Sequence, residues 1–229
     1  MSCFRLSNKF CKKLTSVVAT YRWGGDDKKK KMHWNKWSDI AIPKGDGGMG
    51  FRDFELFNQA MLVKHGWRLI TKPDSLCARV IKGKYFNDRN FMEAGRKRGS
   101  SHTWRAILYG RDALHGGLIK RVGDGSTIHV WEDPWIAENF NSKPLVRKSD
   151  VNILKVGEII DHENGSWDMQ RLERNFVPSY VQTICRIPIG NITEDTWAWK
   201  HEKGGYFSVR SAYKLLCQQR RHSENTIES

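Results

Sequence analysis

The chain has 229 residues, and its 39 lysines and arginines against 25 aspartates and glutamates give a formal net charge of +14. Hydrophobic residues make up 39% of it and tryptophan occurs 10 times, which excludes a wholly disordered chain because disordered segments are poor in aromatic residues. The sequence contains no apolar run long enough for a membrane span and no secretory signal, so we expect an intracellular location, nuclear or cytoplasmic, without a membrane partner.

The first two predicted elements are helices. A helix from about residue 7 to 23 has Phe10, Leu14, Val17, Val18 and Tyr21 at helical spacing and ends at a glycine pair. After the loop PKGDGGMG, Asp53 can cap a second helix. This helix ends at Lys72-Pro73, because proline cannot continue it.

Two further helices follow in the N-terminal half. Asp74 or Ser75 can cap the third, in SLCARVIKGKYF, and the polar connection after it contains three consecutive basic residues. A fourth helix is predicted for residues 103–115, and two glycines end it. Its inward residues are expected to be Trp104, Ile107, Leu108 and Leu114.

The periodicity changes after residue 118. Residues 119–136 are predicted to form a β-hairpin, because Asp124-Gly125 suits a tight turn and Ile128 and Val130 alternate with polar neighbours. Residues 137–194 have weak periodicity and are interpreted as a linker or a loosely packed subdomain. In residues 195–229 we expect a strand, a glycine turn, a second strand and a helix capped by Ser208.

A lysine-rich segment between the first two helices is a candidate surface for a polyanion. Its lysines could contact a phosphate backbone, while Trp34 and Trp37 could stack on unpaired bases or pack against the first helix. Basic residues of the first helix and of the connection after the third helix add to this charge, although solvation alone would also explain them. The candidate nucleic-acid-binding residues are Lys28, Lys29, Lys30, Lys31, Lys36, Arg96, Lys97, Arg98, Lys9, Lys12 and Lys13.

The sequence contains no strong motif for phosphate binding, catalysis or metal binding. The glycines of residues 45–50 lack the order of a phosphate-binding loop, the eight histidines form no HxxxH pair, and the five separated cysteines contain no CxxC. We therefore predict no catalytic residue, no metal site and no disulfide framework.

Several blocks resemble one known family. The blocks include YRWGG, MHWNKWSDIAIPKGDGGMG, GGMGFRDFELFNQAMLVKHGWRL, RVGDGSTIHVWEDPW and GGYFSVRSAYKLL, and they cover nearly the whole chain. In this order they resemble the open reading frames of plant non-LTR (LINE-type) retrotransposons. The resemblance implies the reverse-transcriptase region between the polymerase palm and the zinc-binding domain.

The resemblance also implies a domain organisation. Residues 1–118 would be a helical thumb or connection region, 119–136 the hairpin, 137–194 the linker, and 195–229 the start of the zinc-binding domain without its zinc ligands. The family's polymerase carboxylates lie in a FADD- or YADD-type turn. That turn is absent here, because the one Asp-Asp pair, Asp26-Asp27, precedes four lysines.

The sequence therefore predicts a mainly α (α+β) chain with one or two short β-hairpins. We expect a non-catalytic fragment of a LINE-type reverse transcriptase that at most binds RNA or DNA backbone without sequence specificity. Divalent metal and zinc would belong to other parts of the parent protein, so no cofactor is expected. The alternatives are an RNA-directed DNA polymerase in its own right, a retained protein-interaction module and a non-functional gene relic.

Overall fold

The computed structural model describes residues 3–23, 37–41, 44, 47–137, 142–148, 153–189 and 194–227. They divide into two compact units. Unit 1 comprises residues 1–116 with 208–229, and unit 2 comprises residues 117–207. The fold is mainly α with two small antiparallel sheets, which confirms the predicted fold class. Among the described residues, no helix combines the length and apolarity that crossing a membrane requires.

Unit 1 is built mainly from helices. They are α1 (Asn8–Arg22), α2 (Trp37–Ile40), α3 (Phe54–Thr71), α4 (Leu76–Tyr85), α5 (His102–Leu114) and α8 (Val209–Ile227), and a short 3₁₀ turn lies at Phe91–Glu93. The capping serines and aspartate act as predicted: Ser7, Asp53 and Ser75 each accept a hydrogen bond from the first turn of their helix. These polar residues fix the helix starts because they satisfy backbone N–H groups that have no partner within the helix.

Helix α3 lies at the centre of unit 1 and packs against α1, α5 and α8. It approaches α5 closely at Gly110, where a Cβ atom would lie 2.5 Å from the backbone carbonyl carbon of Leu62. The predicted inward residues of α5 are confirmed, since Trp104 and Leu114 are 1% and 0% exposed and Ile107 and Leu108 are also buried. The stacked Tyr85 and Trp104 rings, with centroids 4.6 Å apart, close this core toward α4.

The predicted apolar face of α1 is only partly correct. Phe10, Val17 and Tyr21 are 47%, 60% and 87% exposed, whereas Cys11 and Ala19 are buried. The buried face is therefore rotated toward the smaller residues, which allow α1 to lie close to α3. Periodicity placed the helix correctly but could not choose between two overlapping apolar faces.

Unit 2 is built from short elements. They are β1 (Leu118–Arg121), a 3₁₀ turn (Val156–Ile159), β2 (Ile160–Asp161), β3 (Ser166–Trp167), α6 (Met169–Asn175), α7 (Pro178–Cys185) and β4 (Thr196–Trp199). β1 pairs antiparallel with β4, and β2 pairs antiparallel with β3 in a hairpin. Ile128, Ile159, Leu172, Phe176 and Ile184 are all 0% exposed and belong to one apolar cluster. Residues 137–194, interpreted from the sequence as a linker or loosely packed subdomain, thus contribute much of this cluster.

The predicted hairpin over residues 119–136 is wrong. β1 pairs with β4 across a long sequence separation, and residues 128–130 instead exchange backbone hydrogen bonds with residues 154–156. The carboxylate of Asp195 explains the difference, because it accepts hydrogen bonds from the backbone N–H groups of Gly123, Gly125 and Thr127. These bonds hold the Asp124-Gly125 loop against the chain that enters β4.

The predicted glycine-turn hairpin near the C-terminus is half correct. Its first strand is β4, but residues 206–208 are not a strand. The backbone N–H of Trp199 donates to the carbonyl of Gly205, which closes a short loop before α8 begins. Ser208 caps α8 as expected, since its hydroxyl accepts a hydrogen bond from the N–H of Ser211.

Candidate nucleic-acid interface

The predicted lysine-rich segment and Trp34 lie outside the described residues. This applies to Lys28, Lys29, Lys30, Lys31 and Lys36. Trp37 is described, and its ring packs against Phe51 with centroids 5.2 Å apart. The contact found for Trp37 is thus with a residue just before α3; packing against the first helix and a base-stacking role both stay predictions.

The other predicted basic residues are exposed. Lys9, Lys12 and Lys13 lie on the solvent side of α1, and Lys97 and Arg98 lie in the connection after α4. None of these five lines either of the two basic pockets of unit 1 described below. Arg96 differs from these five residues because it lines one of the two basic pockets of unit 1.

The Arg96 pocket is a surface pocket of about 440 Å³ in unit 1. The segment before α1 is held there by Asn58, whose side chain accepts from the N–H of Leu6 and donates to the carbonyl of Phe4. The guanidinium carbon of Arg5 lies 3.8 Å from the centroid of the Tyr109 ring, a cation–π contact that orients this arginine. The lining residues are Phe4, Arg5, Arg96, His102, Arg105 and Ala106. No carboxylate is among them, and Phe4 is 58% exposed.

The Lys214 pocket is a second basic pocket of unit 1, of about 610 Å³. One wall is a face of α8, where lining residues recur at spacings of three and four, and the opposite wall comes from residues 41–52. Five of the lining residues are basic and none is acidic: Lys44, Arg52, Arg210, Lys214 and Arg221. Arg52 also lies over the Phe57 ring at 4.3 Å from its centroid, which limits its motion.

Nearby carboxylates offset only part of the charge of the Lys214 pocket, because one arginine outside its lining neutralises one of the two. Asp53 and Glu55, at the start of α3, are both paired with Arg220, at 2.8 and 3.1 Å. The N–H of Asp53 also donates to the phenol oxygen of Tyr213, at 2.8 Å, and this bond ties α3 to α8. Burial raises the pKa of Tyr213 to about 12, so the phenol is neutral at physiological pH.

Sequence reasoning missed most of these residues. A signal for Arg210, Lys214 and Arg221 was present, because they lie at positions i, i+4 and i+11 of a predicted helix and share a face. Arg5 and Arg105 are 100 residues apart, and only the packing of the N-terminal segment beside α5 brings them together. Within the part of the chain that the structure describes, no group of three His, Cys, Asp or Glu side chains could hold a metal ion.

Fold and site thus define a mainly α chain with two basic surface pockets. The chain is 41% identical over 146 residues to an uncharacterized mitochondrial protein of Arabidopsis thaliana, a match that covers 63% of this chain and 95% of that protein. The chain therefore belongs to the same plant protein family as this relative.

A second relative extends the comparison to nearly all of the chain. It is an Arabidopsis thaliana protein described as a "putative ribonuclease H protein", 31% identical over 229 residues. The match covers 94% of this chain and 36% of the relative, so the present chain spans about a third of that protein's length. No family model matches the chain. Among solved structures there is also no match.

Proposed function

We propose that this chain is a non-catalytic, nucleic-acid-binding part of a LINE-type retrotransposon reverse transcriptase. In this role it holds template and primer strands through their phosphates, without strong sequence preference, while another part of the parent protein performs the chemistry. The observation that carries the proposal is the pair of basic pockets in unit 1, whose described lining residues include nine basic or histidine side chains and no carboxylate.

Physical chemistry supports a phosphate ligand for these pockets. Clustered arginine and lysine side chains repel one another, and a phosphate backbone relieves the repulsion and releases counterions when it binds. Arginine also offers a planar set of donors that matches phosphate oxygens. The exposed Phe4 beside Arg5 adds an apolar contact for an unpaired base. The relative described as a ribonuclease H protein agrees with a nucleic-acid context.

Paired charge-removing variants should weaken binding. We expect Arg210→Gln with Lys214→Gln, and separately Arg96→Gln with Arg105→Gln, to reduce affinity for single-stranded RNA about ten-fold at low salt, because each pair removes two phosphate contacts. Each pair should also lower the slope of log Kd against log salt by roughly 1.4. Fluorescence anisotropy titrations at several salt concentrations, with RNA, DNA and a hybrid duplex, measure both quantities.

The matched control for these variants is Lys64→Gln with Arg79→Gln. It makes the same charge change in unit 1, and both residues are exposed and line neither pocket. If the control weakened binding as much as the pocket variants, net charge rather than the pockets would be responsible. Absence of any binding by the unaltered chain at low salt would contradict the proposal itself.

The purified chain should not synthesise DNA. Its sequence has no FADD- or YADD-type turn, and polymerase chemistry depends on carboxylates that hold two metal ions at the primer end. A primer-extension assay with Mg²⁺ or Mn²⁺ is therefore expected to show no incorporation above a heat-denatured control. Extension of the primer would favour the alternative of a polymerase in its own right.

A further inference from the structure

Unit 2 contains its own pocket, of about 510 Å³, at the β1–β4 sheet. We call it the Lys200 pocket. Its wall is mainly apolar, formed by Ile119, Val122, Ile187, Pro188 and Ala198. Its volume and apolar lining match the general character of small-ligand sites, which are mostly apolar with a few placed polar groups.

The charged side chains around this pocket are strongly unbalanced. Five are basic and one is acidic: Lys120, Arg121, Arg186, Lys200 and Lys203 against Glu202. Lys203 is exposed, so its charge is available to a ligand. Since like charges gathered around an apolar surface repel one another, an anionic group at this rim is favoured.

Lys200 adds independent evidence for an anion. It is half-buried, and burial lowers the pKa of its ammonium group. In the described residues its Nζ donates to the hydroxyl of Ser142, at 3.1 Å, a neutral partner that does not compensate a desolvated charge. An arriving phosphate would supply that compensation.

The pocket wall sets the nature of the ligand's apolar part. Val122, Trp135 and Trp199 line the pocket but are 1%, 1% and 0% exposed, so the accessible apolar wall is aliphatic and comes chiefly from Ala137, Ile187 and Pro188. A flat base can contact such a wall without base-specific stacking. Thr183 and Glu202 also line the pocket. The Thr183 hydroxyl donates to the carbonyl of Ser179, and both it and the Glu202 carboxylate have acceptor capacity for a base's amino group.

We propose that the Lys200 pocket binds one unpaired nucleotide, with the base against the aliphatic wall and the phosphate at the basic rim. The inference rests on the proposed nucleic-acid function, because it assigns to unit 2 the recognition of a single unpaired residue of the strand. The Lys200 pocket uses different residues from the two pockets of unit 1, so this assignment can be rejected while the proposed function stands.

Titration of the full chain with adenosine 5′-monophosphate tests the assignment. Calorimetry is expected to give saturable binding at least about ten-fold tighter than adenosine or inorganic phosphate gives alone, because base and phosphate contacts then act together. Lys200→Met and Lys203→Glu should each weaken binding about ten-fold. Arg174→Glu, a charge reversal at an exposed residue of α6 that does not line the pocket, should change nothing.

Three results would overturn the nucleotide assignment. The first is that inorganic phosphate binds as tightly as adenosine 5′-monophosphate. The second is that the Lys200 and Lys203 variants bind the nucleotide with unchanged affinity while thermal melting shows that they are folded. The third is that dodecanoate binds and the nucleotide does not. Strand binding measured on the same proteins separates the two proposals. If strand affinity still depended on the pockets of unit 1, only the nucleotide pocket would be rejected.

Discussion

Gly110→Ala is expected to destabilise unit 1 by roughly 2–3 kcal/mol, although alanine is the better helix former. The added Cβ would lie 2.5 Å from the carbonyl carbon of Leu62 and 2.7 Å from the backbone N of Val63. Those atoms belong to the backbone of α3, so they cannot rotate away as a flexible side chain could. Helices α3 and α5 would have to separate, and the buried contacts of Leu62 and Leu114 would loosen.

Gly83→Ala is the matched control for this change. Gly83 lies inside α4, and a Cβ atom there would meet nothing within 4 Å. The same substitution should therefore stabilise by roughly 0.5–1 kcal/mol. Urea unfolding gives both free energies, and hydrogen exchange of peptides from α3 and α5 locates the effect. A Gly110→Ala protein as stable as the parent would show that the two helices are not closely packed there.

Asp195→Ala is expected to destabilise unit 2 by about 3 kcal/mol. The carboxylate accepts four hydrogen bonds of 2.8–3.0 Å, three from backbone N–H groups and one from the Thr127 hydroxyl. Gly123 and Gly125 are buried, so their N–H groups would be left without a partner. The loop of residues 123–127 should then become mobile, and the β1–β4 pairing beside it should weaken.

This stabilisation should also depend on pH. Burial by itself raises the pKa of Asp195, but hydrogen bonds from Gly123, Thr127 and Gly125 outweigh it and hold the pKa below 3.8, its ordinary value. The native state thus binds its proton more weakly than the unfolded chain does. The contribution is fully present above pH 3.8 and is lost as the pH falls through the native pKa.

Unfolding measured from pH 7 to pH 2.5 on the parent and on Asp195→Ala tests this dependence. The difference between them should shrink toward acid. Glu194→Ala, which removes the exposed neighbouring carboxylate, serves as the control and should leave stability nearly unchanged. Equal stability of Asp195→Ala and the control at pH 7 would contradict the anchoring role.

The two basic pockets and the Lys200 pocket divide possible strand contacts between the units. In the proposed function, unit 1 supplies arginine-rich surfaces for the backbone, and unit 2 supplies an open, partly apolar pocket for a base. The three sets of variants can be examined in one strand-binding assay, because no residue lines more than one pocket.

Local chemistry determined the helices of this protein. Ser7, Asp53, Ser75 and Ser208 each cap the start of a helix through hydrogen bonds within one turn, so short-range sequence was sufficient to place these starts. The inward residues of α5 were predictable for the same reason, because a single periodic face carries its large apolar side chains. The basic composition predicts a phosphate-binding character, and this stays a prediction.

Only the tertiary structure decided the strand pairing and the grouping of charges. Asp124-Gly125 has the residues of a hairpin turn, yet the carboxylate of Asp195, about 70 residues away, binds the loop and β1 pairs with β4. Arg5, Arg96 and Arg105 come together because Asn58 holds the N-terminal segment in place. Such contacts depend on distant residues meeting in the folded chain, and no local periodicity encodes which distant partner is chosen.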